Sequence, residues 1–438
     1  MRTSKKASFW RLLVLTVAAI GLCFGNLSAF TQEAGTEDEA TDARSLPTHE
    51  QVGIIQIPGD ISSLMLHTFC LAPNGNLLVA TGGERVASVF GDNGRRNNEL
   101  FTANRAILVI SPDGELLATW ELEMTPQAFD VAEDGTIFVG GDGRLARLSA
   151  DGSVEKVGDS PNLAELPPLP TGLEVSADPA EETEEEKNQR EAELARLRGE
   201  QKMAVEARRA AADEYHADDT DEEKKQEFED ACDVVAEINP LIDEVSISPK
   251  MHAVQRRTAA LQDRRVRSIA VDGDDVFVCC QTVGSYTFDV WRTDRDFGSS
   301  EKIVTGLRGC CGNMYIQADE GKLWVAENAR KRVIAYDRDG EELAAWGSSD
   351  RNAIDGFGDC CNPMCIRIGS DGNVYTVEAN LGHIKRFTPE GEFLGMVGTA
   401  DILQGCKHFP IGISSTEDRV YMLNLSRSQV IVMEAIAP

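Results

Sequence analysis

Short runs in which apolar and polar residues alternate recur along most of this chain, and nearly every run stops at a glycine-containing turn. Phe69 to Ala72 meets Pro73-Asn74-Gly75-Asn76, Leu77 to Ala80 follows, and Ala106 to Ile110 leads to Pro112-Asp113-Gly114-Glu115. The same order returns at Ala128 to Ala132 with Glu133-Asp134-Gly135, at Met314 to Ala318 with Asp319-Glu320-Gly321, and at Cys365 to Ile368 with Ser370-Asp371-Gly372. Looser copies start at Ser268 and Pro410. Period-two alternation predicts strands exposed on one face, and the turns demand the positive φ that glycine supplies. Six such units are counted. A unit of three or four short strands cannot bury both faces alone, whereas radial packing of several units can. The predicted fold is therefore all-β, a six-bladed β-propeller.

Between the second and third units the period changes. Residues 159–265 hold a proline-rich linker and then three helical stretches. Residues 181–216 are rich in Ala, Glu, Arg and Gln, with a thin apolar stripe at Leu194, Leu197, Ala204, Ala211 and Tyr215. Thr220 and Glu223 predict a capping box for a second helix that ends before Pro240, and Ser248-Pro249 opens a third. The expected organisation is a signal peptide at 1–29, a disordered linker at 30–48, blades one and two with a closing strand at 49–158, the helical insertion at 159–265, and blades three to six at 266–438. Because the last unit runs out after its third strand, Gln51 to Ile57 is expected to complete it as the outermost strand.

The best-formed repeats resemble NHL-repeat β-propellers. The resemblance lies in Pro363-Met364-Cys365-Ile366-Arg367-Ile368, Asp371-Gly372-Asn373-Val374-Tyr375 and His383-Ile384-Lys385-Arg386-Phe387, with Gly321-Lys322-Leu323-Trp324-Val325-Ala326 and Arg332-Val333-Ile334-Ala335-Tyr336 similar to them. Glu327 and the Val377-Glu378-Ala379-Asn380 stretch depart from the family's usual Asp after the second strand. The resemblance implies architecture more than activity, because propellers host many functions.

Composition narrows the partners. With 73 acidic against 43 basic residues the net charge is -30, which disfavours nucleic acid and anionic membranes. Arg2, Lys5, Lys6 and Arg11 precede an apolar run from Leu12 to Phe24, and Leu27-Ser28-Ala29 offers a cleavage site. This predicts an exported protein, periplasmic or secreted, with no membrane span after cleavage; an uncleaved N-terminal anchor is the alternative.

Two groups of residues carry candidate chemistry. Gly309-Cys310-Cys311-Gly312 and Asp359-Cys360-Cys361-Asn362 occupy the same position just before an innermost strand, as do Cys406 with His408 and His67 with Cys70. These positions ring the axis on one face. They suit disulfides in an oxidising compartment, or a thiolate and imidazole site for copper, zinc or iron. A bridge between adjacent cysteines is strained, so any disulfides should run between loops. Cys279 and Cys280 lie within a strand and read as structural. The second group follows the second strands: Glu327, Asn328, Glu378, Asn380, His383 and Asn424. Carboxylates and amides converging at an axis suit a hard cation such as calcium, while turn capping is the plain alternative. The expected function is a ligand- or protein-binding module acting through its axial face. A metal-dependent hydrolase or lyase of the six-bladed lactonase or amidating-lyase type is the alternative. The insertion is expected on that same face, beside or over the axial mouth.

Overall fold

The computed structural model describes residues 43–59, 65–90, 96–168, 182–217, 220–246, 248–402 and 409–437. The described chain forms six four-stranded antiparallel sheets. Sheet one is Leu66–Leu71, Leu77–Phe90, Arg96–Ile110 and Leu116–Glu121, and sheet two is Ala128–Val131, Ile137–Gly141, Arg144–Leu148 and Val154–Asp159. Sheet three is Val266–Asp272, Asp275–Gln281, Thr287–Asp294 and Ser300–Arg308. Sheet four is Tyr315–Asp319, Lys322–Glu327, Arg332–Asp337 and Glu342–Trp346, and sheet five is Cys365–Ile368, Val374–Val377, His383–Phe387 and Phe393–Thr399. Sheet six comprises Ile411–Ile413, Arg419–Asn424 and Gln429–Ala435, with His49–Gln56 from the other end of the chain pairing antiparallel to Gln429–Ala435 as its outer strand. Each first strand neighbours the first strands of the sheets before and after it, and that of sheet six neighbours that of sheet one. This cyclic order is consistent with a six-bladed propeller.

The turns form for local reasons. Asn74, Asp134 and Asp371 each accept a hydrogen bond at 3.0 Å from the backbone N–H two residues on, and the glycine between has a positive φ. Neighbouring sheets then lock through a second set of turns. At Gly152 (φ +86°) and Gly391 (φ +91°) a methyl group would fall 2.1 Å and 2.4 Å from the rings of Trp120 and Trp346, on the outer strand of the preceding sheet. Only glycine fits under those indoles. The core lies between adjacent sheets, where residues such as Phe69, Phe138, Phe277, Phe288, Phe387 and Tyr375 are fully buried.

Sheet one departs from the expectation of short strands. Its second and third strands continue past Ala80 and before Ala106 as a long hairpin with paired residues from Gly83–Ala103 out to Phe90–Arg96. At Gly82 and Gly83 the ladder continues through a bulge.

The insertion is helical: α1 is Glu184–Ala217, α2 is Glu222–Ser246 and α3 is Pro249–Asp263. A capping box opens α1, with Thr183 N and Oγ donating to Glu186 and Glu186 N donating to Thr183 Oγ1. At the start of α2 the Asp221 carboxylate accepts from the N–H groups of Glu223 and Lys224. That helix also runs through Pro240 rather than stopping before it. A proline removes one helical hydrogen bond, and packing against α1 through buried Leu197, Ala204 and Val235 holds the remainder. The α3 helix lies against Leu77–Phe90, the strand that carries the long hairpin of sheet one. At the end of the insertion, Arg264 donates to Ala260 O at 2.9 Å and to Pro167 O, which fixes the return into sheet three. The expected signal peptide lies outside the described residues. Residues 43–48, within the expected linker, include Thr48, which donates its N–H to Met396 O at 3.1 Å.

Candidate functional site: a four-thiol cluster

The two Cys-Cys loops enter the first strands of sheets four and five, which are neighbours in the ring, so their tips meet. In each loop the second cysteine is left-handed, Cys311 at φ +53° and Cys361 at φ +66°. Left-handed non-glycine residues cost about 1–2 kcal/mol each and persist where surrounding contacts impose them. The imposing contacts are visible. Asn328, fully buried, accepts from Cys310 N at 2.6 Å and donates to Asn313 O at 3.2 Å, so one amide clamps both ends of the Cys310–Asn313 turn. In sheet five Asn362 accepts from Ala379 N at 2.7 Å, and Met364 N donates to Val377 O at 2.8 Å. Phe357 and Met364 share one buried apolar cluster with Cys361, with Cys310 packed against it, and this is the floor of the loops.

Four sulfurs meet above this floor. Cys361 Sγ lies 2.9 Å from Cys310 Sγ, 3.5 Å from Cys311 Sγ and 3.4 Å from Cys360 Sγ. Cys310 Sγ is 3.5 Å from Cys360 Sγ and 3.8 Å from Cys311 Sγ. A tetrahedral zinc site with Zn–S of about 2.3 Å has S···S edges of about 3.8 Å. Each of these five separations lies within an ångström of such an edge, and Cys310, Cys311 and Cys361 together offer three ligand atoms within 4.8 Å of one another. Among the described residues this is the place where three or more His, Cys, Asp or Glu ligand atoms converge. Cys361 is buried, Cys310 is half-buried, and Cys311 and Cys360 are exposed, so the cluster opens to solvent on one side. Burial, and the neighbouring thiols Cys360 and Cys311, push the Cys310 thiol up to about 11, although its contact with Cys361 acts the other way. Loading a metal must then displace protons.

The remaining candidates are placed otherwise. His67 and Cys70 are not part of the cluster. Cys70 points into the centre of the ring, with Sγ 3.3 Å from Arg367 Nη2 and 3.7 Å from Asp130 Oδ1. Burial raises its thiol to about 11. Arg367 also donates to Gln317 Oε1 at 2.6 Å, and Asp130 accepts from Val271 N at 3.1 Å. This polar knot joins the first strands of sheets one, two, three, four and five. His67 Nε2 lies 2.8 Å from Gly82 O, and burial followed by the charge of Arg265 lowers its pKa to about 4. Cys406 and His408 lie outside the described residues. Cys279, Cys280 and Cys365 are wholly buried.

The carboxylates of the second group have internal partners. Glu327, with no exposure, accepts from Arg308 N at 2.9 Å and Arg332 Nε at 2.6 Å, and Arg330 Nη1 lies at 3.1 Å. Glu378 is paired with Lys385 Nζ at 3.0 Å and His383 Nδ1 at 3.2 Å. Both are cross-strand pairs bridging the second and third strands of one sheet. Asn328 acts on the thiol loop as described, Asn380 is left-handed at φ +66° in the loop after Glu378, and Asn424 accepts from Ser426 N at 3.2 Å. Among the described residues, Glu327, Glu378 and His383 are not part of a group of three His, Cys, Asp or Glu ligand atoms close enough to share one ion.

Sequence reasoning passed over Arg265, Arg267, Asp130 and Arg367. The first two were visible as a basic run, Arg264-Arg265-Val266-Arg267, in an acidic chain. The last two sit inside ordinary strand patterns and carry no such signal.

No protein-family model and no curated protein sequence matches the chain. Among solved structures, the chain is similar to a regucalcin described as a calcium-binding protein from Agrobacterium tumefaciens, at 8% identity and TM-score 0.44, covering 88% of this chain and 94% of that one. A virginiamycin B lyase from Staphylococcus aureus is similar at 10% identity and TM-score 0.41, covering 88% and 99%. A gluconolactonase from Xanthomonas campestris is similar at 9% identity and TM-score 0.40, covering 88% and 99%.

Proposed function

We propose that this chain is an exported, NHL-like six-bladed propeller that binds one soft metal ion, zinc foremost, through Cys310, Cys311, Cys360 and Cys361. The observation that carries this reading is the approach of Cys310 Sγ and Cys361 Sγ to each other and to the sulfurs of Cys311 and Cys360, at 2.9–3.8 Å, on two loops held by buried asparagines. An all-thiolate set selects zinc or an iron–sulfur centre over calcium or magnesium. It also fills the tetrahedron, leaving no open position for a water nucleophile, which favours a binding role over metal-dependent hydrolysis. The ion would tie sheet four to sheet five and shape the axial face that a protein or small-molecule partner meets. The 2.9 Å approach of Cys310 to Cys361 also suits a disulfide, so the test must separate the two. Reduced protein is titrated anaerobically with cobalt(II). The expected result is a one-equivalent tetrahedral thiolate spectrum that zinc abolishes and that Cys310→Ser and Cys361→Ser lack. No spectrum from fully reduced, folded protein would overturn the reading.

A further inference from the structure

The starting ends of the first strands carry a second cluster that the metal reading does not use. Arg265 and Arg267 flank Val266 at the start of sheet three. Val266 pairs with Cys280 and Ser268 with Cys279, so Arg267 is the extra residue of a β-bulge. In sheet one the register shifts between Leu66 and Phe69, the stretch that holds His67 and Thr68. Bulges at strand ends turn side chains out of the ladder and toward the rim.

The charges gathered there are short of acceptors. Arg265 Nε and Arg267 Nε are both buried without a hydrogen-bond partner among the described residues. Arg267 Nη2 donates to Gln281 Oε1 at 3.1 Å. Its Nη1 lies 3.9 Å from where a side chain at Gly312 would begin, beside the Cys310 turn. Asp142 is the carboxylate whose charge reaches Arg265, and it is already engaged. Its oxygens accept from Thr125 N at 2.7 Å and Gln127 Nε2 at 3.2 Å, with Arg105 at 3.9 Å. Burial lowers the pKa of Arg265, and burial with the charge of Arg265 lowers Arg267 to about 10. Asp263 is the carboxylate whose charge reaches Arg267, in a chain of net charge -30. Water alone is a poor complement to two desolvated guanidinium groups, whereas carboxylate or phosphate oxygens accept from their donor forks.

We infer that the axial mouth is a binding site for a small oxyanion, the carboxylate or phosphate group of an axial ligand, held by Arg265 and Arg267. The site is set by the bulge and by the anchored end of the insertion, and it does not rest on the thiol cluster. The test is thermal unfolding of the full chain in phosphate or in succinate, against chloride at matched ionic strength. A saturable rise in melting midpoint with at least one of the two oxyanions is expected; phosphate alone would point to a phosphoryl ligand and succinate alone to a carboxylate. The Arg265→Gln, Arg267→Gln double variant should bind at least tenfold more weakly. In chloride it should melt no lower than wild type, since two unpaired charges are gone. Retention of the response in Cys310→Ser, Cys361→Ser protein is expected, and its loss there would assign the anion to the metal instead. If the double variant does not fold, phenylglyoxal labelling of wild type gives the same answer. The effective oxyanion must protect Arg265 and Arg267 while leaving exposed Arg338 reactive. No saturable response, an equal response in the double variant, or unprotected arginines would each overturn the assignment.

Discussion

Replacing Glu327 by glutamine separates a carboxylate that braces the fold from one that waits for calcium. The side chain has no exposure and receives Arg308 N–H and two guanidinium groups. Glutamine keeps the shape and one acceptor but removes the charge, and its amide then faces Arg332. Breaking a fully buried pair costs about 3–5 kcal/mol. Here Arg332 and Arg330 are 30% and 43% exposed and can turn to water, which discounts the loss to roughly 2–3 kcal/mol. For a domain of this size that is a drop of roughly 3–5 °C in melting midpoint. Urea unfolding should show a lower midpoint with an unchanged slope, since the surface exposed is the same. Wild type and variant are compared in calcium and in EGTA. The ion-pair account predicts the same gap in both. A gap that vanishes in EGTA, or no gap at all, would refute it and return Glu327 to the list of cation ligands.

Three further outcomes follow from the geometry. Gly391→Ala forces a left-handed alanine under the Trp346 ring and should cost about 2–4 kcal/mol, read by thermal unfolding and a change in tryptophan emission. His67 has its pKa lowered to about 4 in the fold, so the unfolded chain binds the extra proton. Stability should therefore decline as pH falls from about 6.5 toward 4, by up to about 1.4 kcal/mol per pH unit, and His67→Gln should flatten that limb. Exchanging residues 165–262 for a short Gly/Ser linker should leave cooperative unfolding and the strand signal in circular dichroism, because α1 and α2 pack mainly on each other.

What could be read from the sequence follows the range of the physics involved. The turns at Asn74, Asp134 and Asp371 were legible because the accepting side chain, the positive-φ glycine and the donating N–H lie within three residues. The outer strand of sheet six was legible because an unpaired edge and an unpaired strand had to find each other. The long hairpin of sheet one was not: the runs read from the sequence stop at Ala80 and resume at Ala106, and only cross-strand pairing from Gly83–Ala103 outward extends them. The repeat position of the Cys-Cys pairs placed them on one rim, but only adjacency of sheets four and five brings four thiols together; His67 enters from sheet one and ends elsewhere. Glu327 and Glu378 looked like free ligands because their partners sit across a turn. In hindsight Glu327 with Arg332 and Glu378 with His383 share one spacing, the distance across a second-to-third-strand turn.

The central claim is a metal held by four thiols, and intact mass spectrometry of the protein as isolated, under native and then denaturing non-reducing conditions, tests it most directly. The account predicts one zinc per chain in the native spectrum. On denaturation the metal should leave, and Cys310, Cys311, Cys360 and Cys361 should all accept an alkylating reagent. A metal-free native mass with Cys310 joined to Cys361, and the other two joined or inert, would contradict it.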